Sequence, residues 1–256
     1  MLKRFVLISC CLLASVSAQS FAAETTYVVG SGGTYRPFEF ENSSKQLEGF
    51  DIDIIKAIAS AEGFQIKLVN TPWEGIFATL NSGDRDIIIS GITITDKRKQ
   101  MVDFSAPYFP AEQAIVVPKD STVDSIAALK SLNVGVVNSS TGDIVVSDVL
   151  GKNSTAIKRF DNTPLMLQEL FEDGISAAVG DVGVAKFYIK THPEKAFKLI
   201  TDAKFERQYF GIAVAKGNEE LRDKINAGLQ KIIADGTYAN IYQTWFDSQV
   251  PTLPSE

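Results

Sequence analysis

The residues best suited to chemistry lie in one short stretch, residues 90–98, which reads Ser-Gly-Ile-Thr-Ile-Thr-Asp-Lys-Arg. It follows residues 86–89, an acidic residue and three isoleucines that predict a buried parallel strand. Ligands of open α/β sheets bind at the carboxyl ends of strands. Residues 90–98 bring hydroxyl groups, backbone N–H groups and a guanidinium to such a strand end. Because a guanidinium meets a carboxylate with two parallel hydrogen bonds, we predict that Arg98, Thr93 and Ser90 hold a small carboxylate.

Two further polar positions follow predicted strands in the second half of the chain. Residues 138–143 read Asn-Ser-Ser-Thr-Gly-Asp and precede a predicted helix, so their N–H groups and the helix dipole favour an anion. Asp181 follows the predicted strand at residues 175–179. A carboxylate at that edge of a sheet is suited to pair with the ammonium group of a ligand.

Each of these candidates also has a purely structural interpretation. Arg98 is alternatively a surface residue paired with Asp96 or Asp103. Thr141 alternatively serves as the N-cap of the helix that follows it, and Asp181 as the N-cap of the next helix. The sequence alone leaves both interpretations of each residue open.

Two aromatic residues lie beside predicted strand ends. Tyr35 falls in a loop and Trp73 at the start of a predicted helix. Two aromatic faces in such positions can enclose a ligand side chain and attract a cation, or they can fill a core. His192 is the only histidine and has no partner nearby in sequence, so we interpret it as a solvated loop residue. We predict no catalytic residue and no metal site.

The first residues have the pattern of a secretory signal peptide, which we assign to residues 1–22. Lys3 and Arg4 precede an apolar run, and small residues suited to cleavage follow it. Both cysteines, Cys10 and Cys11, lie in this leader, so the mature chain is predicted to have no disulfide and no thiolate site. No later segment approaches eighteen apolar residues, which predicts a soluble, exported protein.

The charge balance argues against a nucleic-acid partner. The whole chain has 25 basic and 31 acidic residues and a net charge of −6. Loss of Lys3 and Arg4 with the leader leaves 23 basic residues against the same 31, or −8. Nucleic-acid binding requires a basic patch, and a chain with this excess of acidic residues is not expected to form one.

The order of predicted elements indicates an α/β fold with two halves. The first half has a βαβαβ order, which implies right-handed crossovers and a parallel sheet; its elements are 26–29, 49–63, 64–69, 73–80 and 86–90. A second βα series begins after an extended segment at residues 114–118 and comprises 133–137, 143–150, 157–160, 163–172, 175–179 and 182–191. In this series Thr163 and Pro164 are predicted to be the N-cap and the first helical residue of the helix that runs through Glu172. The segment at 207–214 is predicted to carry the chain back to two closing helices.

The glycines near the first strand do not form a dinucleotide-binding turn. Gly30 and Gly32 have the spacing of its first two glycines. Tyr35 occupies the position of the third glycine, and Pro37 falls where a helix would have to continue. We therefore predict a loop here, and no cofactor.

Taken together, several motifs resemble the bacterial extracellular solute-binding proteins of polar amino acid ABC transporters, family 3. The resemblance covers essentially the whole mature chain. Its motifs are residues 35–40 (Tyr-Arg-Pro-Phe-Glu-Phe), 49–53 (Gly-Phe-Asp-Ile-Asp), 90–98, 102–105 (Val-Asp-Phe-Ser), 140–142 (Ser-Thr-Gly) and the tail 236–246. It implies a periplasmic-binding-protein (Venus flytrap) fold with two lobes, each a mostly parallel sheet flanked by helices.

The same resemblance implies how the chain is divided. Residues 23–108 and 210–250 would form the first lobe, and residues 113–204 the second. Two hinge segments, residues 108–112 and 205–209, would connect them, and closure of the hinge would enclose a ligand.

The resemblance also assigns roles to individual residues. Arg98 would bind the α-carboxylate of an amino acid, helped by Thr93 and by the backbone at Gly91, Thr141 and Gly142. Asp181 would bind the α-ammonium, and Tyr35 and Trp73 would flank the side chain. The remaining members of the predicted site are Ser90 and Asn138.

Three positions depart from the family pattern. Gly32 stands where many glutamine and basic amino acid binders have an Asp that contacts the ligand side chain. Asn138 stands where glutamine binders have a Lys, and is closer to the arginine/lysine type. Gly180 offers no side chain where other members contribute one.

The implied function is that of the periplasmic substrate-binding component of an ABC-type amino acid importer. It would act as a monomer without a cofactor, bind a polar amino acid that is basic or glutamine-like, and deliver it to a membrane permease. Two alternatives remain. One is a periplasmic cyclohexadienyl (prephenate/arogenate) dehydratase on the same fold, whose corresponding loop typically reads Gly-Gly-Thr where residues 139–142 read Ser-Ser-Thr-Gly. The other is a soluble receptor lobe that senses an amino acid.

Overall fold

A computed structural model of the protein describes residues 25–254, so the predicted signal peptide with Cys10 and Cys11 lies outside the described residues. The strands are β1 Thr26–Ser31, β2 Thr34–Tyr35, β3 Glu39–Glu41, β4 Leu47–Glu48, β5 Gln65–Asn70, β6 Ile87–Ile88, β7 Val102–Phe104, β8 Phe109–Ala111, β9 Gln113–Pro118, β10 Val134–Val137, β11 Ile157–Phe160, β12 Ala177–Asp181, β13 Phe197–Ile200, β14 Gln208–Phe210 and β15 Ala213–Ala215. The α-helices are α1 Phe50–Glu62, α2 Ile76–Asn81, α3 Asp96–Lys99, α4 Thr141–Leu150, α5 Thr163–Phe171, α6 Val182–Thr191, α7 Glu219–Ala234 and α8 Thr237–Trp245, with 3₁₀ turns at Ile126–Ser131 and Pro193–Lys195.

Two five-stranded sheets organise the described residues, and we name the two halves of the molecule after them. Lobe 1 contains the sheet of order β5-β1-β6-β15-β7, in which β1 is parallel to β5 and β6, while β15 is antiparallel to both its neighbours. Lobe 2 contains the sheet of order β11-β10-β12-β9-β13, in which β10, β11 and β12 are parallel and β9 is antiparallel. The prediction of two mostly parallel sheets flanked by helices is confirmed.

Helix α1 shows how the local sequence sets the frame of lobe 1. Asp51 and Asp53 lie in its first turn, where carboxylates favour the positive end of the helix dipole. Its apolar face, with Ile54, Ile55 and Ile58, is fully buried. Gly63 ends the helix in the left-handed conformation, as the sequence predicted, because a residue without Cβ adopts it at little cost.

Two strands connect the lobes and are anchored by aromatic side chains. Strand β8 pairs with β14 in a two-stranded antiparallel sheet, with Phe109 opposite Phe210. Their rings stack with centroids 5.7 Å apart, and Phe38 packs edge-on against both. The two strands overlap the predicted hinge segments, whose hinge role stays a prediction.

Three helices begin at a residue other than the predicted one. The side chain of Ser140, not that of Thr141, caps α4 by accepting from the Asp143 N–H at 3.1 Å. The side chain of Asn162 caps α5, so Thr163 is the first helical residue rather than the cap. Helix α2 begins at Ile76 instead of Trp73, because Gly75 immediately before it takes a left-handed conformation with φ 77°.

Among residues 25–254, no helix combines the length and the apolar character needed to cross a membrane. In that same range no three or more His, Cys, Asp or Glu side chains converge in a way that would hold a metal ion.

Candidate functional site

A cavity of about 380 Å³ lies between lobe 1 and lobe 2 and contains most of the predicted site. Eight of the ten predicted residues line it: Tyr35, Trp73, Ser90, Gly91, Thr93, Arg98, Thr141 and Asp181. The other two lie just outside its wall. Asn138 accepts a hydrogen bond through its carbonyl from Trp73 Nε1 at 2.9 Å, and Gly142 packs so tightly that a Cβ there would lie 2.8 Å from the Val179 carbonyl oxygen.

Arg98 is the buried cation of this cavity, with 6% of its surface exposed. The hydroxyl of Thr95 caps the short helix α3 by accepting from the Arg98 N–H, which fixes the start of the side chain. Its Nη1 donates to the Thr93 carbonyl at 2.8 Å and its Nη2 to the Ser139 carbonyl at 3.5 Å, and the guanidinium lies over the Trp73 ring. These neutral acceptors leave the positive charge uncompensated, so the group is ready to bind an anion.

The alternative pairing of Arg98 with surface acids is wrong. Asp103 pairs instead with Lys216 at 2.6 Å, and Asp96 lies 3.8 Å from Lys99. Burial lowers the pKa of Arg98 to about 10, with the charge of Asp181 acting in the opposite direction. The guanidinium therefore stays protonated at neutral pH.

Asp181 is the buried acid that faces the cavity from lobe 2. It occupies the N-cap position of α6, yet its side chain makes no capping hydrogen bond, so the capping interpretation is wrong. Its carboxylate accepts instead from the Tyr35 hydroxyl of lobe 1 and from Gln113 Nε2, the latter at 2.9 Å. Burial raises the pKa of Asp181 to about 6, against the effects of the Tyr35 hydrogen bond and the Arg98 charge.

Gln113 is a site residue that sequence reasoning missed. It lies opposite Asp181 in the antiparallel pairing of β9 with β12, and its Nε2 donates to both Asp181 and Thr141. The Thr141 and Thr93 hydroxyl oxygens lie 3.5 Å apart across the lobes. The pairing of distant strands brings Gln113, Thr141 and Asp181 together, so no local pattern around residue 113 indicates that it belongs to the site.

The donors at Ser90 and Gly91 are already engaged by two buried acids of lobe 1. The Gly91 N–H donates to Asp51 Oδ2 at 2.7 Å, and the Ser90 hydroxyl donates to Glu39 Oε1 at 2.8 Å. In this arrangement both protons point away from the cavity, and the role of the two residues toward a ligand stays a prediction. Gly91 contributes in another way: it has φ +51°, and a Cβ there would lie 2.7 Å from the Tyr35 ring.

The lobe 2 loop, residues 138–143, is linked to strand β11 by one ion pair. Asp143 accepts from the Ser139 N–H at 3.0 Å and pairs with Arg159 at 2.9 Å. Burial alone would raise the pKa of Asp143, but these hydrogen bonds and the Arg159 charge outweigh it and lower the pKa. Of residues 138–143, Ser140 and Thr141 line the cavity.

His192 has partners that the sequence did not indicate. Its Nδ1 lies 3.0 Å from the Tyr188 carbonyl oxygen, and its ring stacks on the Tyr188 ring. The residue is half-buried rather than solvated, and it does not line the cavity between the lobes.

A family model described as bacterial extracellular solute-binding proteins, family 3, matches residues 27–248 of the chain. Two similar sequences are a probable histidine-binding protein of Neisseria gonorrhoeae, 42% identical over 86% of this chain and 82% of that protein, and the ABC transporter arginine-binding protein 1 of Escherichia coli, 32% identical over 96% of this chain and 99% of that protein. A similar solved structure is the arginine-, lysine-, histidine-binding protein of Geobacillus stearothermophilus, with TM-score 0.85 and 38% identity over 88% of this chain and 97% of that chain.

Proposed function

Because the chain belongs to the bacterial extracellular solute-binding proteins of family 3, we propose that it binds a free polar amino acid between its lobes and delivers it to an ABC-type permease. The observation that carries this proposal is the pair formed by Arg98 and Asp181 in one cavity. A buried cation and a buried acid face the same space, which complements the carboxylate and ammonium groups shared by all α-amino acids.

The hydrogen-bonding groups around that pair determine how the ligand lies. Arg98, Thr93 and Thr141 bind the α-carboxylate, since the two hydroxyl groups and the guanidinium lie together where the lobes meet. Asp181, held in place by Gln113, binds the α-ammonium. The ligand therefore contacts both lobes at once, and only a bound amino acid stabilises the closed arrangement.

The chain is exported by the leader at residues 1–22 and acts as a monomer in the periplasm. Residues 108–112 and 205–209 form the hinge between a lobe of residues 23–108 and 210–250 and a lobe of residues 113–204. Strands β8 and β14, which cross between the lobes, support this division. Small-angle scattering with and without ligand tests the hinge, and light scattering during gel filtration tests the monomer.

The comparisons favour a binding protein over the dehydratase. The relatives named above are described as binding proteins, and the histidine-binding relative covers 86% of the chain. A sensing receptor lobe would contain the same cavity, so binding alone does not distinguish it from a transport protein. Stimulation of the cognate permease's ATPase by the liganded protein would identify a transport protein.

A thermal-shift screen tests the proposal directly. The protein is freed of bound ligand by unfolding and refolding, then heated with each of the twenty amino acids, ornithine, citrulline or prephenate. A ligand at a hundred times its Kd adds about 2.7 kcal/mol to the free energy of unfolding, a shift that is easily measured. Stabilisation by amino acids that Arg98→Ala abolishes supports the proposal. Formation of phenylpyruvate from prephenate would overturn it in favour of the enzyme.

A further inference from the structure

Gln113 connects the two residues of lobe 2 that we expect to bind the head groups of an amino acid. Its Nε2 donates to Asp181 Oδ1 at 2.9 Å and to Thr141 Oγ1 at 3.0 Å. All three residues are buried, and Gln113 is 3% exposed. One amide nitrogen therefore holds the acceptor for the ligand ammonium and a donor for the ligand carboxylate at a separation that cannot exceed the two hydrogen bonds combined.

The surroundings of this amide set its orientation. Gln113 lies directly opposite Asp181 in the antiparallel pairing of β9 with β12, so the two side chains extend from the same face of the sheet. Its Oε1 lies beside the first turn of α4, where a Cβ at Gly142 would be 3.1 Å from it and where the helix dipole is positive. The opposite orientation would place this oxygen against the Asp181 carboxylate, and two acceptors cannot bond to each other.

The acceptor of the same amide points to a role in the site rather than in the stability of the fold. Gln113 Oε1 is buried and accepts no hydrogen bond from residues 25–254. A buried acceptor without a partner lowers the free energy of unfolding, while Nε2 donates only to residues of the site. An unpaired buried atom in a native structure calls for a reason, and the positioning of Asp181 and Thr141 supplies one.

The hydrogen bond from Gln113 also decides where the Thr141 hydroxyl proton can go. A hydroxyl group has one proton to donate and lone pairs that accept. Since Thr141 Oγ1 accepts from Gln113, its own proton is directed away from that amide, and Thr93 Oγ1 of lobe 1 lies 3.5 Å away. The proton is therefore available to a carboxylate at the point where the lobes meet.

Resting on the function proposed above, we infer that Gln113 is a positioning residue that restricts the site to α-amino acids. Gln113, Thr141 and Asp181 all belong to lobe 2, so this frame needs no contact from lobe 1. An α-amino acid has its ammonium and carboxylate groups on one carbon and fits the separation that the frame sets. A β-amino acid has one more methylene between the two groups, so it can keep only one of the two contacts in place.

The test compares L-α-amino acids with their β-homo forms, which have one additional methylene between the ammonium and carboxylate groups. Titration calorimetry on the refolded protein uses L-arginine and L-histidine as probes, each with its β-homo form. The variants are Gln113→Met, which keeps the length of the side chain without its donor, and the control Val117→Ala. Val117 lies on the same strand, is fully buried in the core of lobe 2 and does not line the cavity, so its truncation weakens only the fold.

The expected result is a change in selectivity. Wild type and Val117→Ala should prefer the α-amino acid by at least about tenfold, the effect of losing one hydrogen bond to a charged group. Gln113→Met should bind the α-amino acid about tenfold more weakly and the β-homo form less than about threefold more weakly. The preference therefore falls in this variant, which a merely structural role of Gln113 would not produce.

A second variant keeps the inference testable if Gln113→Met fails to fold. Thr141→Val keeps the shape of its side chain and removes the hydroxyl group at the other end of the frame. It should also lower the preference for the α-amino acid, because the β-homo form does not use both contacts. Its effect is measured against the same Val117→Ala control.

Each outcome separates this inference from the proposed function. Equal affinity of wild type for the two forms, or a preference in Gln113→Met or Thr141→Val as large as in wild type, would overturn the inference and leave an amino acid binder. An equal fall in Val117→Ala would overturn it as well, since lost stability would then be the cause. If the thermal-shift screen identifies another amino acid as the ligand, that amino acid and its β-homo form replace the two probes. Failure of wild type to bind any amino acid would instead overturn the proposed function.

Discussion

Each lobe presents a loop to the cavity, and the two loops differ in how their charged groups are held. In lobe 2, Asp143 is the last residue of the loop at residues 138–143 and is paired with Arg159, so the charge of the acid is compensated inside the lobe. In lobe 1, Asp51 and Glu39 lie beneath residues 90–98, accept hydrogen bonds from the Gly91 N–H and the Ser90 hydroxyl, and form no ion pair with a Lys or Arg of residues 25–254. The acid of the lobe 2 loop is neutralised by the protein, and the acids beneath the lobe 1 loop are not.

The arginines show the same contrast. Arg159 forms an ion pair with Asp143. Arg98 donates only to carbonyl oxygens and is more deeply buried. A compensated pair contributes to the fold and can be exposed to water at little cost. An uncompensated buried charge is costly in the unbound protein and gains most when a ligand of opposite charge arrives. The comparison therefore separates the structural ion pair from the binding groups.

The largest expected effect comes from removing the uncompensated cation. Arg98→Ala should weaken amino acid binding by on the order of 2–5 kcal/mol, because the ligand carboxylate would be buried without its charged partner. Titration calorimetry measures the loss. Unchanged affinity would mean that Arg98 does not bind the carboxylate.

The next effect concerns the stability of the unliganded protein against pH. The pKa values of Asp51 and Asp181 are raised to about 6, so the folded state takes up protons more readily than the unfolded chain does. Their contribution to stability is fully present below about pH 4 and is lost as the pH rises through about 6. Urea unfolding should thus show a gain on the order of 1–3 kcal/mol from pH 7 to pH 5.

The Asp51→Asn variant identifies the source of that gain. An amide cannot release a proton, so the variant should show a flatter dependence of unfolding free energy on pH than wild type. A wild-type protein that loses stability between pH 7 and pH 5 would contradict the description of Asp51 and Asp181 as uncompensated buried acids.

Breaking the compensated pair should affect the fold and spare binding. Arg159→Ala leaves Asp143 without its cation, and since both side chains are partly exposed we expect a loss of about 1 kcal/mol in unfolding free energy. Amino acid affinity should change less than about threefold, within the range of surface substitutions. A fall in affinity as large as that of Arg98→Ala would remove the distinction between the two arginines.

The smallest effect is expected at the point where the two loops are joined. Trp73→Phe removes the hydrogen bond from Nε1 to the Asn138 carbonyl but keeps a ring beneath Arg98. One neutral hydrogen bond contributes about 1 kcal/mol, so the affinity for every amino acid should fall by roughly fivefold. Stopped-flow fluorescence should assign the change to faster dissociation, because the bond forms only when the lobes meet.

Local sequence patterns predicted the elements whose boundaries depend on neighbouring residues. Gly63 ends α1 and residues 157–160 form β11 as expected, because a left-handed cap and a short segment with apolar residues at both ends are properties of the local sequence. The caps of α4 and α5 were misplaced by one residue. Ser140 and Asn162 each precede a threonine, and side chains of both types can cap a helix, so only the backbone geometry decides between them.

The candidate site was predictable where its residues follow strands and not where distant strands meet. Arg98, Thr93 and Asp181 lie at strand ends, and the sequence placed them near a ligand for that reason. Gln113 enters the site only through the antiparallel pairing of β9 with β12. Glu39 lies in one of the family motifs, yet nothing in the local sequence indicates that it lines the cavity and accepts a hydrogen bond from Ser90.

The position of β15 has a consequence for the order in which the chain folds. This strand comes from the far end of the sequence and lies between β6 and β7, so the sheet of lobe 1 is incomplete until residues 213–215 are present. All five strands of the lobe 2 sheet lie within residues 113–200. During synthesis the second lobe can therefore form while the first still has open strand edges, which are prone to aggregate. A chain that ends before residue 213 lacks the strand that joins β6 to β7 in the sheet of lobe 1.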